Sequence, residues 1–343
     1  MSKKKIILIS AIAGIFIGGL ALLNTREVKQ DIKSDKPKTE MTFALDWTPN
    51  TNHTGIYVAK NKGWYADQGI ELKILPYSLS SPSDVLVSTG KADVGVGFTE
   101  GVVSSAATDS SVTSIAAIIA NNTSVIITRK SDNITSLAQL DGKIYGGYGA
   151  PFEAAVVSRA IKNDGGKGDY KNVTIDTDPL DALENKRVDF AWVYDGWESI
   201  QAKRRGFEIS KFPITEHGIP DYSTPNIISS PETIKNKADL LKKFMEATAR
   251  GYEFARENPD EAARILIEEA PDGTFPDEGL VYESQQYLSG KYQQAGKKWG
   301  IQEPEFWQNY PKFMLEQKAV LDTSGKPVSS LDFAKLYTNQ FLE

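Results

Sequence analysis

The chain contains no cysteine and only two histidines among its 343 residues. The absence of cysteine excludes disulfides, thiolate metal sites, a cysteine nucleophile and a lipid-modified cysteine anchor. The two histidines, His53 and His217, lie far apart, and neither belongs to a metal-binding motif such as HExxH. The sequence therefore predicts no metal centre, and we expect no cofactor.

Positive charge is also scarce, with 39 lysines and arginines against 45 acidic residues and a formal net charge of −6. Proteins that bind nucleic acid neutralise phosphates with a clustered basic surface, which this composition does not supply. The chain also lacks a GxSxG nucleophile motif, a Walker loop and a GxGxxG fingerprint. These absences argue against nucleic-acid binding and against an enzyme.

The first forty residues have the pattern of an exported protein. Lysines at 3–5 precede an uncharged run over 6–23, which is apolar apart from Ser10. No small-x-small cleavage site follows this run, so an uncleaved membrane anchor over 1–23 is favoured over a cleaved signal peptide. Residues 24–40 are polar and charged, which predicts a flexible tether. We expect an extracytoplasmic protein held at the outer face of the cytoplasmic membrane.

From residue 41 onward, short apolar runs alternate with longer amphipathic segments, a pattern that predicts an α/β fold. Ser230 before Pro231 and Asn258 before Pro259 mark helix starts, and the first of these helices is predicted over 231–257 with an apolar stripe that faces the core. A weak internal echo relates GKADVG at 90–95 to KRVDFA at 186–191. The echo is consistent with two similar lobes.

The motif LDWTPNTNHTGIYVA at 45–59 closely resembles the ABC-transporter pyrimidine-binding proteins of thiamine salvage. The resemblance continues through GKAD at 90–93, YGGYGAPFE at 145–153 and DFAWVYDGW at 189–197, and it covers residues 41–343. It implies a type II periplasmic-binding-protein fold, in which two α/β lobes enclose an interlobe ligand cleft.

The resemblance also implies two crossover segments between the lobes, which we expect near 125–130 and 226–231. Lobe 1 would then comprise 41–130 and 226–343, and lobe 2 would comprise 131–225. We expect a monomer that presents its ligand to the permease and ATPase subunits of an ABC transporter.

The implied ligand is a thiamine pyrimidine precursor of the formylaminopyrimidine or hydroxymethylpyrimidine type. Another flat heterocycle such as riboflavin, or an alkylsulfonate-type anion, stays open as an alternative. The same broad family contains fungal enzymes that build the thiamine pyrimidine from a histidine and pyridoxal phosphate. Aligned on Gly90, this chain has Gly97 and Gly101 where those enzymes carry a lysine and a histidine, and their cysteine-rich stretch is absent. We therefore expect a binding protein.

A flat aminopyrimidine needs aromatic faces for stacking and acceptors for its amino group. Trp47, Tyr148, Tyr194 and Trp197 lie at or just beyond predicted strand ends, where ligands of open α/β sheets bind. Core packing is the alternative for each of these rings. The further ligand-binding candidates are Asn50, His53, Glu100, Asn122, Glu153 and Tyr222.

Several of these candidates also have a structural explanation. Glu153 follows a glycine-rich loop in the first turn of a helix, where the helix dipole stabilises a negative charge without any ligand. For His53, capping of a loop is favoured over contact with a ligand. Asn50 and Asn122 are of a type common in turns. Serine at 223, where relatives often have a second tyrosine, leaves the exact ligand open.

Overall fold

The computed structural model describes residues 38–108, 110–175 and 177–342. The expected anchor over 1–23 lies outside the described residues, as does most of the expected tether. Residues 39 and 40 already belong to the first strand, so the folded part begins two residues before the predicted boundary. In the described part of the chain, no helix is both long and apolar enough to cross a bilayer.

Ten strands and twelve helices lie within these described ranges. The strands are β1 (Thr39–Ala44), β2 (Ile70–Leu75), β3 (Val94–Gly97), β4 (Thr113–Ala117), β5 (Ser124–Arg129), β6 (Ile144–Gly147), β7 (Lys171–Thr174), β8 (Phe190–Tyr194), β9 (Ile209–Pro213) and β10 (Asn226–Ser229). The helices are α1 (Thr54–Asn61), α2 (Trp64–Asp67), α3 (Ser83–Ser88), α4 (Thr99–Ser105), α5 (Pro151–Asn163), α6 (Pro179–Glu184), α7 (Glu198–Arg205), α8 (Pro231–Asn236), α9 (Ala238–Glu257), α10 (Pro259–Glu269), α11 (Glu278–Ser289) and α12 (Phe306–Glu316).

The strands form two five-stranded sheets with the same internal arrangement. Sheet 1 has the order β2-β1-β3-β10-β4, and sheet 2 has the order β7-β6-β8-β5-β9. In each sheet the first three strands are parallel, and the fourth strand runs antiparallel to both of its neighbours. The predicted α/β architecture with two lobes is confirmed; lobe 1 is built on sheet 1, and lobe 2 on sheet 2.

The segments expected to cross between the lobes are themselves strands. β5 pairs with β8 and β9, and β10 pairs with β3 and β4. All residues of both strands are buried, because a central strand packs on both faces, and this explains the continuous apolar run at 125–127. The chain therefore leaves sheet 1 within residues 118–123 and returns within residues 214–225.

The echo between 90–95 and 186–191 corresponds to one local structure that occurs in both lobes. In lobe 1 the carboxylate of Asp93 accepts the backbone N–H of Thr42 on β1 at 2.8 Å. In lobe 2 the carboxylate of Asp189 accepts the N–H of Ile144 on β6 at 2.9 Å. Each aspartate thus joins a parallel strand to the turn before its neighbour, and the weak sequence similarity reflects a real structural repeat.

The helix predicted over 231–257 is two helices, α8 and α9, separated at Lys237. Ser230 caps α8 by accepting the N–H of Thr233 at 3.1 Å, as its position before Pro231 predicts. Lys237 has a φ of −124°, outside the helical range, and its ammonium contacts Asp93. The apolar stripe of α9 is buried against lobe 1, which confirms its role in the core.

Candidate functional site

Aromatic residues from the two lobes meet at the carboxyl ends of their parallel strands. Trp47 follows β1 in lobe 1, whereas Tyr148 follows β6 in lobe 2. Their ring centroids lie 6.3 Å apart, with an interplanar angle of 67°. Because ligands of open α/β sheets bind beyond the carboxyl ends of the strands, this interlobe cleft is the candidate site.

The mouth of the cleft carries three aromatic rings. Tyr77, which follows β2, packs against Trp47 with a centroid distance of 4.7 Å. Trp47 is 45% exposed and Tyr148 is 50% exposed, whereas a core ring would be buried. Rings that keep an open face are suited to stacking on a planar molecule.

Asp46 is held in the cleft by His53. The Nε2 atom of His53 lies 2.7 Å from Oδ1 of Asp46, and the backbone N–H of Asn50 donates to Nδ1 at 3.2 Å. A backbone N–H can only donate, so Nδ1 is an acceptor and the ring proton lies on Nε2, directed at Asp46. Both nitrogens of the fully buried His53 are therefore used inside the protein. Asn50 caps the 3₁₀ turn Thr51–His53, so both residues have the loop-stabilising role.

Glu100 is a buried carboxyl group at the start of α4, with 2% of its surface exposed. Its Oε1 accepts a hydrogen bond from the hydroxyl of Tyr222, and its Oε2 is buried without a partner among the described residues. Burial raises the pKa of Glu100 to about 7, although the hydrogen bond from Tyr222 opposes the shift. The ring of Tyr222 stacks on Tyr310 of α12 at 3.7 Å. Glu100 thus keeps one oxygen available for a hydrogen bond.

The two connections between the lobes are joined at Asp221. Its carboxylate accepts the backbone N–H of Asn122 at 3.0 Å and the side-chain amide of Asn121 at 2.7 Å. The Oδ1 of Asn122 accepts the N–H of Ser124 at 2.8 Å, which fixes the orientation of the amide. Its Nδ2 is buried and makes no hydrogen bond within the described ranges. Asn122 therefore has a turn-forming role and retains a donor.

Glu153 stabilises the glycine-rich loop that carries Tyr148. Its two carboxylate oxygens accept the backbone N–H groups of Tyr148 at 3.0 Å and Gly149 at 3.1 Å. Burial raises its pKa, and these hydrogen bonds oppose the shift. A Cβ at Gly147 would lie 2.4 Å from Oε2 of Glu153, so only glycine fits beneath the carboxylate. This geometry supports the structural role of Glu153, and its contact with a ligand stays a prediction.

Tyr194, at the end of β8, lies among three carboxyl groups. Burial raises the pKa of Tyr194 well above its usual range, and the negative charges of Glu100, Asp46 and Glu198 raise it further. Glu198 is the first residue of α7, and its Oε2 accepts the N–H of Tyr194 at 3.0 Å. Burial raises the pKa of Glu198 to about 7. Its charge also contributes to the raised pKa of Tyr148, so Glu198 lies near both tyrosines.

No lysine or arginine of the described chain forms an ion pair with Asp46, Glu100 or Glu198, and the partner of Asp46 is the Nε2–H of His53. The cleft therefore concentrates acceptors and negative charge without a compensating positive side chain. Residues 38–108, 110–175 and 177–342 contain no group of three or more His, Asp or Glu side chains placed to hold a metal ion.

Trp197 is directed at the helices of lobe 1. Its ring lies 6.5 Å from that of Phe275, and it packs against a cluster formed by α1, α10 and α11. These contacts link the lobes beside the cleft and do not place Trp197 with Trp47 and Tyr148. Its role as a stacking surface for a ligand stays a prediction.

Three residues of the cleft were absent from the sequence-based candidates, namely Asp46, Tyr77 and Glu198. Each follows a strand of the parallel part of its sheet, so the rule that selected Trp47 and Tyr194 applies to them as well. Asp46 lies within the motif at 45–59, and Glu198 directly follows the motif at 189–197. The sequence does not show that both oxygens of Glu153 accept backbone N–H groups, whereas Oε2 of Glu100 has no partner among the described residues.

Comparison with known proteins gives a family and a fold. Residues 50–262 match the protein-family model described as NMT1/THI5 like. The formylaminopyrimidine-binding protein of Halalkalibacterium halodurans is 26% identical over 322 residues, covering 90% of this chain and 97% of that protein. The 4-amino-5-hydroxymethyl-2-methylpyrimidine phosphate synthase of Legionella pneumophila is 28% identical over 245 residues, covering 70% of this chain and 76% of that protein.

Among solved structures, the alkanesulfonate-binding protein SsuA of Xanthomonas axonopodis pv. citri bound to MOPS superposes with a TM-score of 0.64. The two are 11% identical, and the match covers 88% of this chain and 99% of that one. At this identity the likeness concerns the fold alone, and it confirms the predicted periplasmic-binding-protein fold.

Proposed function

The chain belongs to the NMT1/THI5-like family, and we propose that it is the substrate-binding component of an ABC importer for a thiamine pyrimidine precursor. The ligand class is that of formylaminopyrimidine or hydroxymethylpyrimidine, and the similarity to the formylaminopyrimidine-binding protein over 90% of the chain supports it. The lobes close on the ligand, and the closed form is the one presented to the transporter.

The observation that carries this proposal is the group of carboxyl side chains around Tyr194. An aminopyrimidine presents N–H donors beside a ring nitrogen that accepts a hydrogen bond. A carboxylate takes the donors, and a neutral carboxyl group both accepts from the amine and donates to the ring nitrogen. Glu100 and Glu198, with pKa values near 7, supply both forms at neutral pH. Asp46, oriented by His53, adds a third acceptor.

The aromatic rings hold the faces of the ligand. Trp47 and Tyr77 belong to lobe 1 and Tyr148 to lobe 2, so a planar ring between them contacts both lobes. Tyr194 and the spare amide donor of Asn122 are further contacts, and so are the earlier candidates Glu153, Trp197 and Tyr222 at the edge of the site. Stacking provides affinity for flat rings in general, whereas the carboxyl groups select amino-substituted ones.

An alkylsulfonate suits this cleft poorly. An anion needs a cation or free backbone amides. The glycine-rich loop has such amides at Tyr148 and Gly149, but Glu153 already occupies them. The remaining carboxyl groups would repel a sulfonate. The charge of the site therefore favours an amine over an anion.

We propose binding without catalysis, although synthases are among the relatives. A Cβ at Gly97 would lie 2.8 Å from the side chain of Ile228, so a longer residue at this position would require β3 and β10 to repack. Gly101 has open space but no side chain. The chain therefore has glycine at both positions where the fungal enzymes carry a lysine and a histidine.

The proposed location is outside the cytoplasmic membrane, with the segment 1–23 as the anchor. The proposed partners are the permease and ATPase subunits of the importer. Both follow from the resemblance and the N-terminal pattern, and neither depends on the geometry of the cleft.

Calorimetry tests the function directly. The purified protein is titrated at pH 7 with 4-amino-5-hydroxymethyl-2-methylpyrimidine, its formylamino analogue, riboflavin and an alkylsulfonate. We expect micromolar or tighter binding of an aminopyrimidine and no heat with the sulfonate. The matched control is the same pyrimidine without its amino group, which stacks equally well but offers no N–H donor. Equal affinity for that control, or binding of riboflavin alone, would contradict the proposed ligand.

A further inference from the structure

Helix α7 connects the candidate site to a contact between the lobes. Its first residue, Glu198, faces the cleft, and its last turn contains Lys203 and Arg204. The guanidinium of Arg204 binds both oxygens of Asp277, with Nε at 2.7 Å from Oδ2 and Nη2 at 2.7 Å from Oδ1. It also contacts Glu283 of α11, which Lys203 reaches at 3.1 Å.

The acidic partners belong to the helices attached to lobe 1. Helix α11 packs against α9 and α10, which in turn pack on α1. The hydroxyl of Ser284, within α11, lies 2.6 Å from that of Thr51, in the turn that contains His53. The ionic contacts of Arg204 therefore join lobe 2 to lobe 1 beside the cleft.

A buried hydrogen-bond chain runs parallel to these ionic contacts. The hydroxyl of Ser284 donates to the backbone carbonyl of Gly196, in the loop between Tyr194 and Glu198. Since a hydroxyl has one proton to donate, the hydroxyl of Thr51 must be the donor to Ser284. Both side chains are buried. Two independent sets of contacts thus hold the start and the end of α7 against lobe 1.

Glycine at 279 leaves room for the guanidinium of Arg204. A Cβ at this position would lie 2.2 Å from Nη2 of Arg204, so the guanidinium packs directly on the backbone of α11. A larger residue at 279, in the first turn of α11, would require the guanidinium to move.

We propose that Arg204 is a positioning residue for ligand binding, because its contacts with Asp277 and Glu283 hold α7 against lobe 1 and favour the arrangement of the lobes in which Trp47 approaches Tyr148. A guanidinium that binds both oxygens of one carboxylate and also contacts a second carboxylate stabilises an interface more than an isolated surface ion pair does. Contacts that stabilise one arrangement of the lobes increase the apparent affinity for a ligand that binds that arrangement. The effect on affinity rests on the proposed function, whereas the effect on the lobes does not.

Energy transfer between labelled cysteines tests the effect on the lobes without any ligand. Since the chain has no cysteine, Arg159→Cys on α5 and Lys242→Cys on α9 give one exposed label on each lobe. Arg204→Gln is compared with Arg264→Gln, whose ion pair with Glu268 lies within α10. We expect Arg204→Gln to shift the ligand-free protein toward lower transfer, and Arg264→Gln to leave it unchanged. Identical distributions for Arg204→Gln and the parent would overturn the proposal.

Titration with 4-amino-5-hydroxymethyl-2-methylpyrimidine then measures the effect on binding. We expect Arg204→Gln to weaken binding by about threefold to tenfold and Arg204→Lys, which keeps the charge but not the bidentate geometry, to weaken it less. A residue important for folding alone would lower the melting temperature without changing transfer or affinity, and that result would also overturn the proposal. If the parent protein binds no pyrimidine, the proposed function fails while the transfer measurement still decides the role of Arg204.

Discussion

The hydroxyl of Tyr222, in the connection back to lobe 1, donates a hydrogen bond to Glu100 at the start of α4, and both side chains are buried. This contact joins one of the two connections between the lobes to an acidic group of the cleft. It satisfies one carboxyl oxygen and leaves the other without a partner among the described residues. The protonation of Glu100 is therefore linked to stability and to any donor that a ligand presents.

The first prediction concerns the pH dependence of folding. Burial raises the pKa of Glu100 from 4.5 to about 7, so between these values the folded state binds more protons than the unfolded state. The stabilisation present below pH 4.5 is lost as the pH rises through 7. Glu100→Gln should therefore raise the free energy of unfolding at pH 8, by at most about 3 kcal/mol, and leave it nearly unchanged at pH 4.5. Urea unfolding at both pH values measures the difference.

Tyr222→Phe is the companion variant for Glu100→Gln. The hydrogen bond from Tyr222 favours the charged form of Glu100, so its removal raises the pKa of Glu100 further and extends the loss of stability to higher pH. An equal gain for Glu100→Gln at pH 4.5 and pH 8 would show that the carboxyl group does not titrate in this range.

The second prediction concerns Glu198 and ligand binding. We expect the carboxyl group of Glu198 to form a hydrogen bond with the amino group or the adjacent ring nitrogen of the ligand. Glu198→Gln should then weaken binding of 4-amino-5-hydroxymethyl-2-methylpyrimidine by about tenfold to a hundredfold, because this hydrogen bond is lost or loses its charge. Glu184→Gln, on the exposed end of α6, is the matched control and should bind like the parent. Calorimetry at pH 7 decides between them.

The pH dependence of this binding follows from the same group. If the carboxyl group of Glu198 donates a hydrogen bond to the ring nitrogen, it must be protonated in the complex. In the free protein this group loses its proton as the pH rises through its pKa of about 7. The dissociation constant should then rise by up to about tenfold per pH unit above pH 7. A dissociation constant that stays flat from pH 6 to pH 9 is incompatible with a retained proton.

The third prediction concerns the aromatic mouth of the cleft. Trp47 is half-exposed and contacts Tyr148 of the other lobe, so a stacked ligand changes its surroundings. Trp47→Ala should remove most of the tryptophan fluorescence response and weaken binding by about 1–3 kcal/mol, the range for stacking of a base on an aromatic ring. Trp64→Phe removes a tryptophan that packs on α9 and Arg250, away from the cleft, and should keep the response.

The fourth prediction tests the loop beneath Tyr148. A methyl group at position 147 collides with Glu153 at 2.4 Å and with the ring of Tyr145 at 2.5 Å. Gly147→Ala should destabilise the protein by about 1–3 kcal/mol and weaken ligand binding through displacement of Tyr148. Gly101→Ala, in a helix with nothing within 4 Å of the added methyl, should be neutral or stabilising by up to about 1 kcal/mol. Thermal unfolding of both variants tests the pair, and equal stability for the two would refute the collision.

Local sequence signals predicted the fold well. The proline at 231 and the serine before it specify a helix start, and the repeated turn before β3 and β8 is visible in the sequence because each needs an aspartate at the same place. The break at Lys237 was missed, since the apolar stripe continues through it; in the structure Lys237 contacts a residue distant in sequence, Asp93. The crossovers were expected on the segments that form β5 and β10, whereas they lie at 118–123 and 214–225, because the apolar pattern does not show which strands pair with one another.

The site was predictable in its location but not in its chemistry. The rule that ligands bind at strand ends selected Trp47, Tyr148 and Tyr194, and these residues do lie at the ends of strands in the two lobes. The distinction between Glu153 and Glu198 depends on which backbone amides each carboxylate reaches, and these contacts exist only after the loops have folded. Sequence position alone does not distinguish the two glutamates, since both occupy the first turn of a helix.

The two sheets have the same strand arrangement, but their strands become available in a different order along the chain. All five strands of sheet 2 come from one continuous stretch, Ser124 through Pro213, whereas β10, the fourth strand of sheet 1, follows that entire stretch. As the chain emerges amino terminus first, lobe 2 can be completed while β3 and β4 still lack the strand that lies between them. Sheet 1 therefore keeps two unpaired strand edges until residues 226–229 are available, and unpaired edges of this kind are prone to association.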